Sequence, residues 1–289
     1  MLQYQETPIQ EIHDTILEEA GVRLLVKRED LNHPLVSGNK WWKLKYNLAE
    51  ASQKNLKTLL TYGGAYSNHI FPPAAAASEL GFHSIGIIRG EEVLPLNPTL
   101  AFARDQGMAL HYISREAYRT KSEVARLKEQ FDNFYLIPEG GSNSLAIKGV
   151  KEFATRLDGS YDYLCCAVGT GGTLGGLIEG VPVDKKILGF PVLKGGQFLI
   201  DDIKKLSEKA KHLSNWQLRY DYHFGGYAKV TPELVQFVNR FKSVHDVPLE
   251  LVYTGKMMAG VYNLISQGFF SRGTTILAIH TGGLQMSHK

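Results

Sequence analysis

The segment YLCCAVGTGGTLGG, residues 163–176, passes from an apolar run into a glycine-rich turn and then into a stretch compatible with a helix. The apolar run 163–168 is typical of a strand that is buried on both faces. Glycines let the backbone of the turn approach a ligand closely, and free N–H groups at the start of the next helix attract an anion. The segment therefore predicts a strand–turn–helix unit whose turn is either a phosphate site or a tight turn without a ligand.

Two common nucleotide-binding motifs do not match this turn. The dinucleotide motif G-x-G-x-x-G needs a glycine where Leu174 stands, and no acidic residue follows at the customary spacing. A P-loop needs a Gly-Lys-Ser/Thr sequence, which does not follow either. The turn thus favours a single phosphate group over a dinucleotide or a nucleoside triphosphate.

Outside this segment, apolar runs alternate with amphipathic stretches along the whole chain. We predict strands at 23–27, 58–62, 83–88, 110–113, 134–138, 163–168, 187–191 and 275–279. We predict helices at 41–53, 71–80, 100–105, 122–131, 172–178, 198–210, 232–240 and 255–267. Strands that alternate with helices form mostly parallel sheets covered by helices, so the predicted fold class is α/β.

Composition disfavours several classes of protein. The 289 residues include 32 basic and 29 acidic side chains, a net charge of +3, and no long basic run that would bind nucleic acid or a membrane surface. No apolar stretch reaches the roughly 20 residues of a membrane span, and the N-terminus lacks a signal-peptide pattern. The adjacent Cys165 and Cys166 would point to opposite faces of a strand, which argues against a disulfide between them. We expect a cytoplasmic protein with reduced cysteines and no metal site.

The sequence Ser37-Gly38-Asn39-Lys40 stands at the start of a predicted helix and contains a candidate nucleophile. A lysine forms a Schiff base only when its amine is partly desolvated and held beside an electrophile. Trp41 and Trp42 are expected to supply an apolar wall for that amine. Taken alone, Lys40 is more typical of an ordinary surface lysine than of a nucleophile.

A third stretch, GGAYSNH at 63–69, again lies between a strand and a helix. Its small residues, hydroxyl and amide suit the recognition of a small polar ligand. The alternative is that Ser67 or Asn68 serves only as the N-cap of the helix that follows. Further glycine pairs at 140–141 and 282–283 also follow predicted strands, so one shared pocket is expected.

Eight segments, in this order along the chain, together resemble one family of enzymes over nearly the whole sequence. They are VKREDL (26–31), SGNKWWKLKYN (37–47), GGAYSNH (63–69), PEGGSN (138–143), AVGTGGTLGGL (167–177), GGY (225–227), YTGK (253–256) and HTGG (280–283). The family is that of the pyridoxal-phosphate-dependent D-cysteine desulfhydrases and 1-aminocyclopropane-1-carboxylate deaminases. The resemblance implies fold type II, the tryptophan-synthase-β-like arrangement of two three-layer α/β domains with mostly parallel sheets.

The resemblance also implies a role for individual residues. Lys40 would hold pyridoxal 5′-phosphate as an internal Schiff base, and Asn68 would contact the ring hydroxyl of the cofactor. The loop formed by Gly169, Thr170, Gly171, Gly172 and Thr173 would hold the phosphate. The remaining residues implied to line the catalytic and substrate pocket are Ser67, His69, Tyr227, Tyr253 and Thr281.

Thr254 is implied to lie beside the pyridine nitrogen of the cofactor, where it bears on the choice of substrate. A carboxylate there keeps the ring nitrogen protonated, whereas a hydroxyl leaves it largely neutral and the ring a weaker electron sink. The deaminases carry Glu at this position and Leu where this chain has Thr281, and His69 also resembles the desulfhydrases. We therefore expect β-elimination of a good leaving group, as in D-cysteine desulfhydrase, with 2-oxo acid and ammonia as products.

Two other functions stay open at this point. One is 1-aminocyclopropane-1-carboxylate deaminase, and the other, from a different class, is a protein that binds a phosphate or nucleotide without a covalent cofactor. Tyr66, where the family usually has glutamine, and the end of the chain soon after 280–283 are departures from the family pattern. Both put the substrate in question, because both lie close to the expected pocket.

The resemblance further implies a domain organisation and an assembly. Residues 43–150 would form a small domain inserted into a larger cofactor-binding domain made of residues 1–42 and 151–289. The protein would act on a small amino acid as a homodimer.

Replacing Lys40 with alanine tests the assignment of the Schiff base. Lys40→Ala should abolish both turnover and the visible absorbance that borohydride bleaches, while the unfolding midpoint changes little because no core cavity is created. Absorbance spectra before and after borohydride provide the measurement. A reducible chromophore that persists in the variant contradicts the assignment.

Overall fold

The computed structural model describes residues 1–120, 124–131 and 133–284. In these ranges the strands are β1 (Ile9–Ile12), β2 (Arg23–Lys27), β3 (Thr58–Gly64), β4 (His83–Arg89), β5 (Met108–Ile113), β6 (Phe134–Ile137), β7 (Tyr163–Val168), β8 (Lys186–Pro191), β9 (Trp216–Leu218) and β10 (Thr275–Ile279). The helices are α1 (Thr15–Ala20), α2 (Asn39–Gln53), α3 (Phe71–Leu80), α4 (Pro98–Asp105), α5 (Arg115–Thr120), α6 (Val124–Phe131), α7 (Ser144–Thr155), α8 (Gly172–Gly180), α9 (Leu199–Leu206), α10 (Lys209–His212), α11 (Pro232–His245) and α12 (Thr254–Ser266). In this described part of the chain, no helix combines the length and apolar character needed to cross a bilayer.

The larger sheet has six strands in the order β1-β2-β10-β7-β8-β9. All neighbours are parallel except β1, which runs antiparallel to β2 at one edge. The central strands β7 and β10 are almost wholly buried, because helices cover both faces of the sheet. One apolar layer includes Cys166 with residues of α2, α7 and α8, and the opposite layer includes Cys165 with residues of α11 and α12. The two cysteines thus lie on opposite faces, unbonded and buried.

The smaller sheet has four parallel strands in the order β5-β4-β3-β6. It too is covered on both faces: α3 and α4 pack through Ala74, Leu100 and Ala103, and α5 and α6 through Tyr118 and Leu127. Two parallel or nearly parallel sheets, each between two helical layers, confirm the predicted α/β fold class. The domain boundaries proposed after residues 42 and 150 fall inside α2 and α7, and that division stays a prediction.

Most predicted elements agree with the structure, and the exceptions have identifiable causes. The predicted strands match to within two residues at each end. The helix predicted at 198–210 is wrong, because Ser207 is extended and separates α9 from α10. The Ser207 hydroxyl donates to Glu179 (2.9 Å) and accepts the N–H of Ala210 (3.2 Å), so it starts a new turn. The first residues of the helix predicted at 122–131 lie outside the described residues.

Several elements were not predicted at all. They include the edge strands β1 and β9 and the helices α1, α5 and α7. α7 carried a usable signal, since the Asn143 side chain accepts the N–H of Ala146 (2.9 Å) as an N-cap. Apolar residues then follow at helical spacing at Ile147, Val150 and Phe153.

The crossing of α2 and α7 depends on a glycine. A Cβ atom at Gly149 would lie 1.9 Å from the carbonyl oxygen of Trp42, far inside van der Waals contact. Because the candidate nucleophile Lys40 is the second residue of α2, this close packing also positions the start of that helix.

Gly149→Ala should destabilise the fold by about 3 kcal/mol, because two helix backbones must separate to admit a methyl group. Denaturant unfolding followed by circular dichroism gives the measurement. Ser144→Ala, at the exposed first residue of the same helix, is the matched control and should change stability little. An unfolding midpoint for Gly149→Ala equal to that of the control rules out this packing constraint.

Candidate active site

A cavity of about 640 Å³ opens where the carboxyl ends of strands from both sheets meet. This is the edge at which parallel α/β sheets bind ligands. Its lining contains 11 of the 13 residues predicted to be catalytic or to bind cofactor or substrate, namely Lys40, Ser67, Asn68, His69, Gly169, Thr170, Gly171, Thr173, Tyr227, Tyr253 and Thr281. The other two, Gly172 and Thr254, are buried, and each follows a lining residue in the sequence.

Lys40 is held in place by an unusual backbone turn. Gly38 has φ 70° and ψ −146°, and a Cβ atom there would lie 2.0 Å from the carbonyl oxygen of Thr281. Only glycine tolerates both the positive φ and this contact. The Asn32 side chain accepts the N–H of Gly38 (2.9 Å) and donates to its carbonyl (3.0 Å), so the turn is clamped from both sides.

Asn39 links the candidate nucleophile to the glycine loop. Its amide donates to Thr173 Oγ1 (2.7 Å), and its carbonyl oxygen accepts a hydrogen bond from the Lys40 ammonium (3.2 Å). Burial lowers the pKa of Lys40 to about 8, against a smaller opposing effect of the Glu250 carboxylate. A sizeable fraction of the amine is therefore neutral near physiological pH, as a Schiff-base lysine requires.

The apolar wall expected from Trp41 and Trp42 is not there. Both indoles are buried in the core behind the helix, where Trp41 Nε1 donates to the carbonyl of Gln3 (3.0 Å) and Trp42 Nε1 to Glu29 (2.7 Å). Helix periodicity explains the error, because Trp41 and Trp42 follow Lys40 on α2 by about 100° and about 200° around the helix axis. Ala167, Val168 and Leu174 supply apolar lining instead.

The glycine loop after β7 forms a cradle at the start of α8. Gly171 has φ 81°, and α8 begins at Gly172 with its first N–H groups unpaired by the helix. Thr170 Oγ1 is 2.7 Å from Ser142 Oγ, which joins the loop to the segment after β6. A side chain at Gly172 would collide with Ser142, 2.5 Å from its Oγ. The loop therefore leaves room for an anion at a helix N-terminus.

Lys43 adds a cation to this cradle and was not singled out in the sequence. Its ammonium donates to the carbonyl of Gly140 (2.7 Å) and to Ser142 Oγ (3.3 Å), and it would lie 3.0 Å from a Cβ atom at Gly172. Burial, together with the charge of Lys40, lowers its pKa well below the ordinary value. Its spacing was a usable signal, because residues three apart on a helix share a face.

The turn at 63–69 does not cap helix α3, which rules out the N-cap alternative. The N-cap of α3 is Ile70, and no side chain caps it. Ser67 Oγ instead accepts the N–H of His69 (3.2 Å), and the Asn68 amide lies beside Gly283, 2.8 Å from where a Cβ atom would stand. The polar side chains of this turn are thus left to line the cavity.

His69 presents a bare nitrogen at the cavity wall. The Thr61 hydroxyl donates to the carbonyl of Ile137 (2.9 Å), so its oxygen accepts from Nε2–H of His69 (2.8 Å). Nδ1 is then the unprotonated nitrogen, and it is buried without a hydrogen-bond partner among the described residues. Burial and the charges of Lys40 and Lys43 lower the pKa of His69 well below the usual value, so the ring is neutral.

Tyr227 and Tyr253 face each other across the mouth of the glycine loop. Their ring centroids are 6.2 Å apart in a T-shaped arrangement, and a Cβ atom at Gly169 would lie 3.0 Å from the Tyr253 ring. Burial raises the pKa of both phenols, that of Tyr253 most strongly. Both phenols therefore keep their protons at neutral pH.

Glu250 is the second residue that sequence reasoning missed. Its carboxylate accepts the N–H groups of Val252 (2.6 Å), Tyr253 (2.7 Å) and Thr254 (2.5 Å), and the Thr254 hydroxyl (3.2 Å). Burial raises its pKa, and these hydrogen bonds act in the opposite direction. The Thr254 hydroxyl also accepts the N–H of Glu250 (3.1 Å), so both its proton and one of its lone pairs are already engaged. A single acidic residue within the apolar stretch 247–253 was the available signal.

These features together fit pyridoxal phosphate. The lysine has a lowered pKa, and the anion cradle combines a helix N-terminus with the buried Lys43, which pairs with no carboxylate among the described residues. A bound phosphate dianion would accept hydrogen bonds from the free N–H groups and would favour the protonated form of Lys43. The glycines at 169, 172 and 283 leave space that side chains would fill.

Comparisons with known proteins agree with this fit. The profile of the family "Pyridoxal-phosphate dependent enzyme" matches residues 1–282. A Pyrococcus horikoshii protein named "Putative 1-aminocyclopropane-1-carboxylate deaminase" is 33% identical, with 96% of this chain and 90% of the relative covered. The Arabidopsis thaliana "Bifunctional D-cysteine desulfhydrase/1-aminocyclopropane-1-carboxylate deaminase" is 32% identical, covering 91% of this chain and 73% of that protein. A crystal structure of an "ACC deaminase homologue" superposes with a TM-score of 0.83 at 31% identity, covering 99% and 91% of the two chains.

The class of protein follows from the fold, the cavity and these matches. The chain belongs to the pyridoxal-phosphate-dependent enzyme family. Within it, the chain is a pyridoxal-phosphate-dependent lyase similar to the D-cysteine desulfhydrases and 1-aminocyclopropane-1-carboxylate deaminases.

The lowered pKa of Lys40 predicts how capture of pyridoxal phosphate depends on pH. Only the neutral amine reacts, so the capture rate of cofactor-free protein should rise about tenfold per pH unit below about pH 8 and then level off. An ordinary lysine would show a rise up to about pH 10. Stopped-flow absorbance measures the rate, with Lys40→Ala as the blank. A rate still rising steeply above about pH 9 contradicts the lowered pKa.

Proposed function

We propose that the protein catalyses β-elimination from a small amino acid, as D-cysteine desulfhydrase does, giving a 2-oxo acid and ammonia. The observation that carries this proposal is the hydroxyl at Thr254, with the nearest carboxylate, Glu250, taken up by three backbone N–H groups and by that hydroxyl. A ring nitrogen beside Thr254 meets no carboxylate directly. The cofactor ring is then a weaker electron sink, and a substrate with a good leaving group, such as a thiolate, needs less stabilisation of its carbanion.

The proposed binding roles follow the geometry of the cavity. The loop 169–173 and Lys43 bind the phosphate, and Asn68 contacts the ring hydroxyl. Ser67 and His69 contact the substrate carboxylate side of the pocket, with Thr281 on the same wall. The proposed division into a small domain of 43–150 within a larger one and the homodimer rest on the resemblance, and the proposed cytoplasmic location rests on the reduced cysteines.

The proposed proton transfers follow from the pKa directions. When bound, the cofactor withdraws electrons from the substrate α-carbon. Lys40, displaced by the substrate, has a pKa of about 8 and is the better base for the α-proton. Tyr227 and Tyr253 retain their protons because burial raises both pKa values, so they orient the substrate or protonate the leaving group. The 2-aminoacrylate product then hydrolyses to the 2-oxo acid and ammonia.

The second candidate is 1-aminocyclopropane-1-carboxylate deaminase. The names of the Pyrococcus relative and of the superposed crystal structure favour it. The buried Glu250 also favours it, because a carboxylate one hydroxyl away from the ring nitrogen lends that nitrogen some proton affinity.

A substrate panel separates the two candidates. Purified holoenzyme would be assayed for 2-oxo-acid release from D-cysteine, L-cysteine, β-chloro-D-alanine and 1-aminocyclopropane-1-carboxylate. We expect turnover of at least one cysteine or chloroalanine substrate and little or none of the cyclopropane. Efficient turnover of the cyclopropane by the unmodified protein overturns the proposal in favour of the deaminase.

Thr254→Glu should shift activity toward ring opening, because a carboxylate at this position favours a protonated ring nitrogen. The ratio of cyclopropane to D-cysteine turnover should rise about tenfold, with Thr281→Leu added if the single change is insufficient. Thr254→Ser keeps the hydroxyl on Glu250 and is the matched control. Equal ratios in the Glu and Ser variants would refute the role of this position.

A further inference from the structure

The charged side chains that line the cavity are not all explained by the cofactor. They are Lys40, Lys43, Arg89, Glu139 and Asp202. Lys40 is the Schiff-base candidate and Lys43 belongs to the phosphate cradle. Arg89 is a third cation, and among the described residues it makes neither a hydrogen bond nor an ion pair. A guanidinium carries five N–H donors in a fixed fork, which suits a carboxylate.

The position of Arg89 is set by its neighbours rather than by an ion pair. It is the last residue of β4 and pairs in register with Gly64, the last residue of β3. Its Nη2 atom lies over that glycine, 3.4 Å from where a Cβ atom would stand. The guanidinium is also 5.6 Å from the centroid of the Tyr118 ring, a cation–π contact. The guanidinium of this exposed residue thus stacks on a ring and keeps its N–H donors for a ligand.

Arg89 stands at the end of β4 in the wall of the cavity, whereas Lys40 lies near the start of α2. Burial raises the pKa of the Tyr227 phenol, and the charge of Arg89 acts in the opposite direction. The half-exposed Tyr66 and Phe198 also line the cavity and supply apolar surface for the stem of a longer side chain.

Two carboxylates line the same cavity and would compete for Arg89. Burial and the nearby Glu139 carboxylate raise the pKa of the Tyr118 phenol. Asp202 is on α9, at the other wall, where Lys205 donates to it (3.0 Å). Neither carboxylate forms an ion pair with Arg89 among the described residues.

We propose that Arg89 binds a carboxylate at the far end of the substrate side chain, so that the preferred substrates are amino acids with an acidic β-substituent, such as S-carboxyalkyl cysteines. The inference rests on the proposed β-elimination and names its substrate class. The reaction removes the α-proton and breaks the Cβ–S bond. The sulfur leaves with the bonding pair as a mercapto-acid, and the 2-aminoacrylate takes up water to give pyruvate and ammonia.

A pair of substrates equal in size tests the charge recognition. S-Carboxymethyl-cysteine ends in a carboxylate and S-carbamoylmethyl-cysteine in a carboxamide, and the two are otherwise identical. Both enantiomers of each compound would be assayed. With holoenzyme, kcat/KM should be at least about tenfold higher for the acid, as expected of a charged hydrogen bond. Arg89→Met should reduce that ratio to about one, and Arg89→Lys should restore part of it.

Arg115→Met is the matched control. Arg115 is a neighbouring cation, with Nε 4.0 Å from a Cβ atom at Gly90, and it does not line the cavity. Its variant should keep the acid-to-amide ratio of the wild type. A ratio near one in the wild type overturns the proposal. A loss of kcat/KM that is equal for acid and amide in Arg89→Met overturns it too, since Arg89 would then bind the α-carboxylate.

A binding measurement keeps this test separate from the proposed reaction. Succinate carries two carboxylates and its half-amide succinamate carries one, and neither can undergo elimination. Each would be titrated calorimetrically into holoenzyme. If succinate binds more tightly than succinamate, and Arg89→Met abolishes the difference, the proposed role of Arg89 is supported. A lack of elimination from every cysteine derivative would then count only against the proposed reaction. Equal affinity of the wild type for both ligands overturns the role of Arg89.

Discussion

The buried carboxylate of Glu29 is the interaction on which the placement of the active-site lysine depends. It accepts hydrogen bonds from Thr7 Oγ1 (2.5 Å), Asn32 Nδ2 (2.9 Å) and Trp42 Nε1 (2.7 Å), and its side chain is almost wholly buried. These donors come from the N-terminal segment, the turn before Gly38 and helix α2. A buried charge requires such partners, because losing one leaves it uncompensated. The network thereby fixes both ends of the turn that carries Lys40.

Burial, rather than ion pairing, sets the chemistry of the cavity. Lys40 and Lys43 have lowered pKa values and His69 is held neutral, because desolvation outweighs the few opposite charges nearby. Among the described residues, Lys40, Lys43 and Arg89 form no ion pair with a carboxylate, so the site is suited to a negatively charged ligand. The phosphate of the cofactor and the carboxylates of an amino acid are such charges, and Lys43 and Arg89 both line the cavity that would receive them.

The alternation of apolar runs and glycine turns was sufficient to predict the α/β class and most strands, since a strand buried on both faces has an unmistakable composition. It failed where tertiary contacts override local pattern. β1 and β9 are short edge strands stabilised by pairing with a neighbour, and α9 and α10 are separated because the Ser207 hydroxyl is bound to Glu179, a residue of another helix. α7 was overlooked although its N-cap and spacing were readable.

The sequence by itself determined the family, the cofactor and the order of the segments from Lys40 to Thr281. These motifs consist of neighbouring residues, so they can be recognised without knowledge of the tertiary fold. Only the tertiary structure decided which remote side chains join them. Lys43 and Arg89 line the cavity, whereas Trp41 and Trp42 are buried in the core. Glu250 accepts a hydrogen bond from the Thr254 hydroxyl. Such placements follow from helix phase, strand register and the burial of polar groups, none of which a local motif contains.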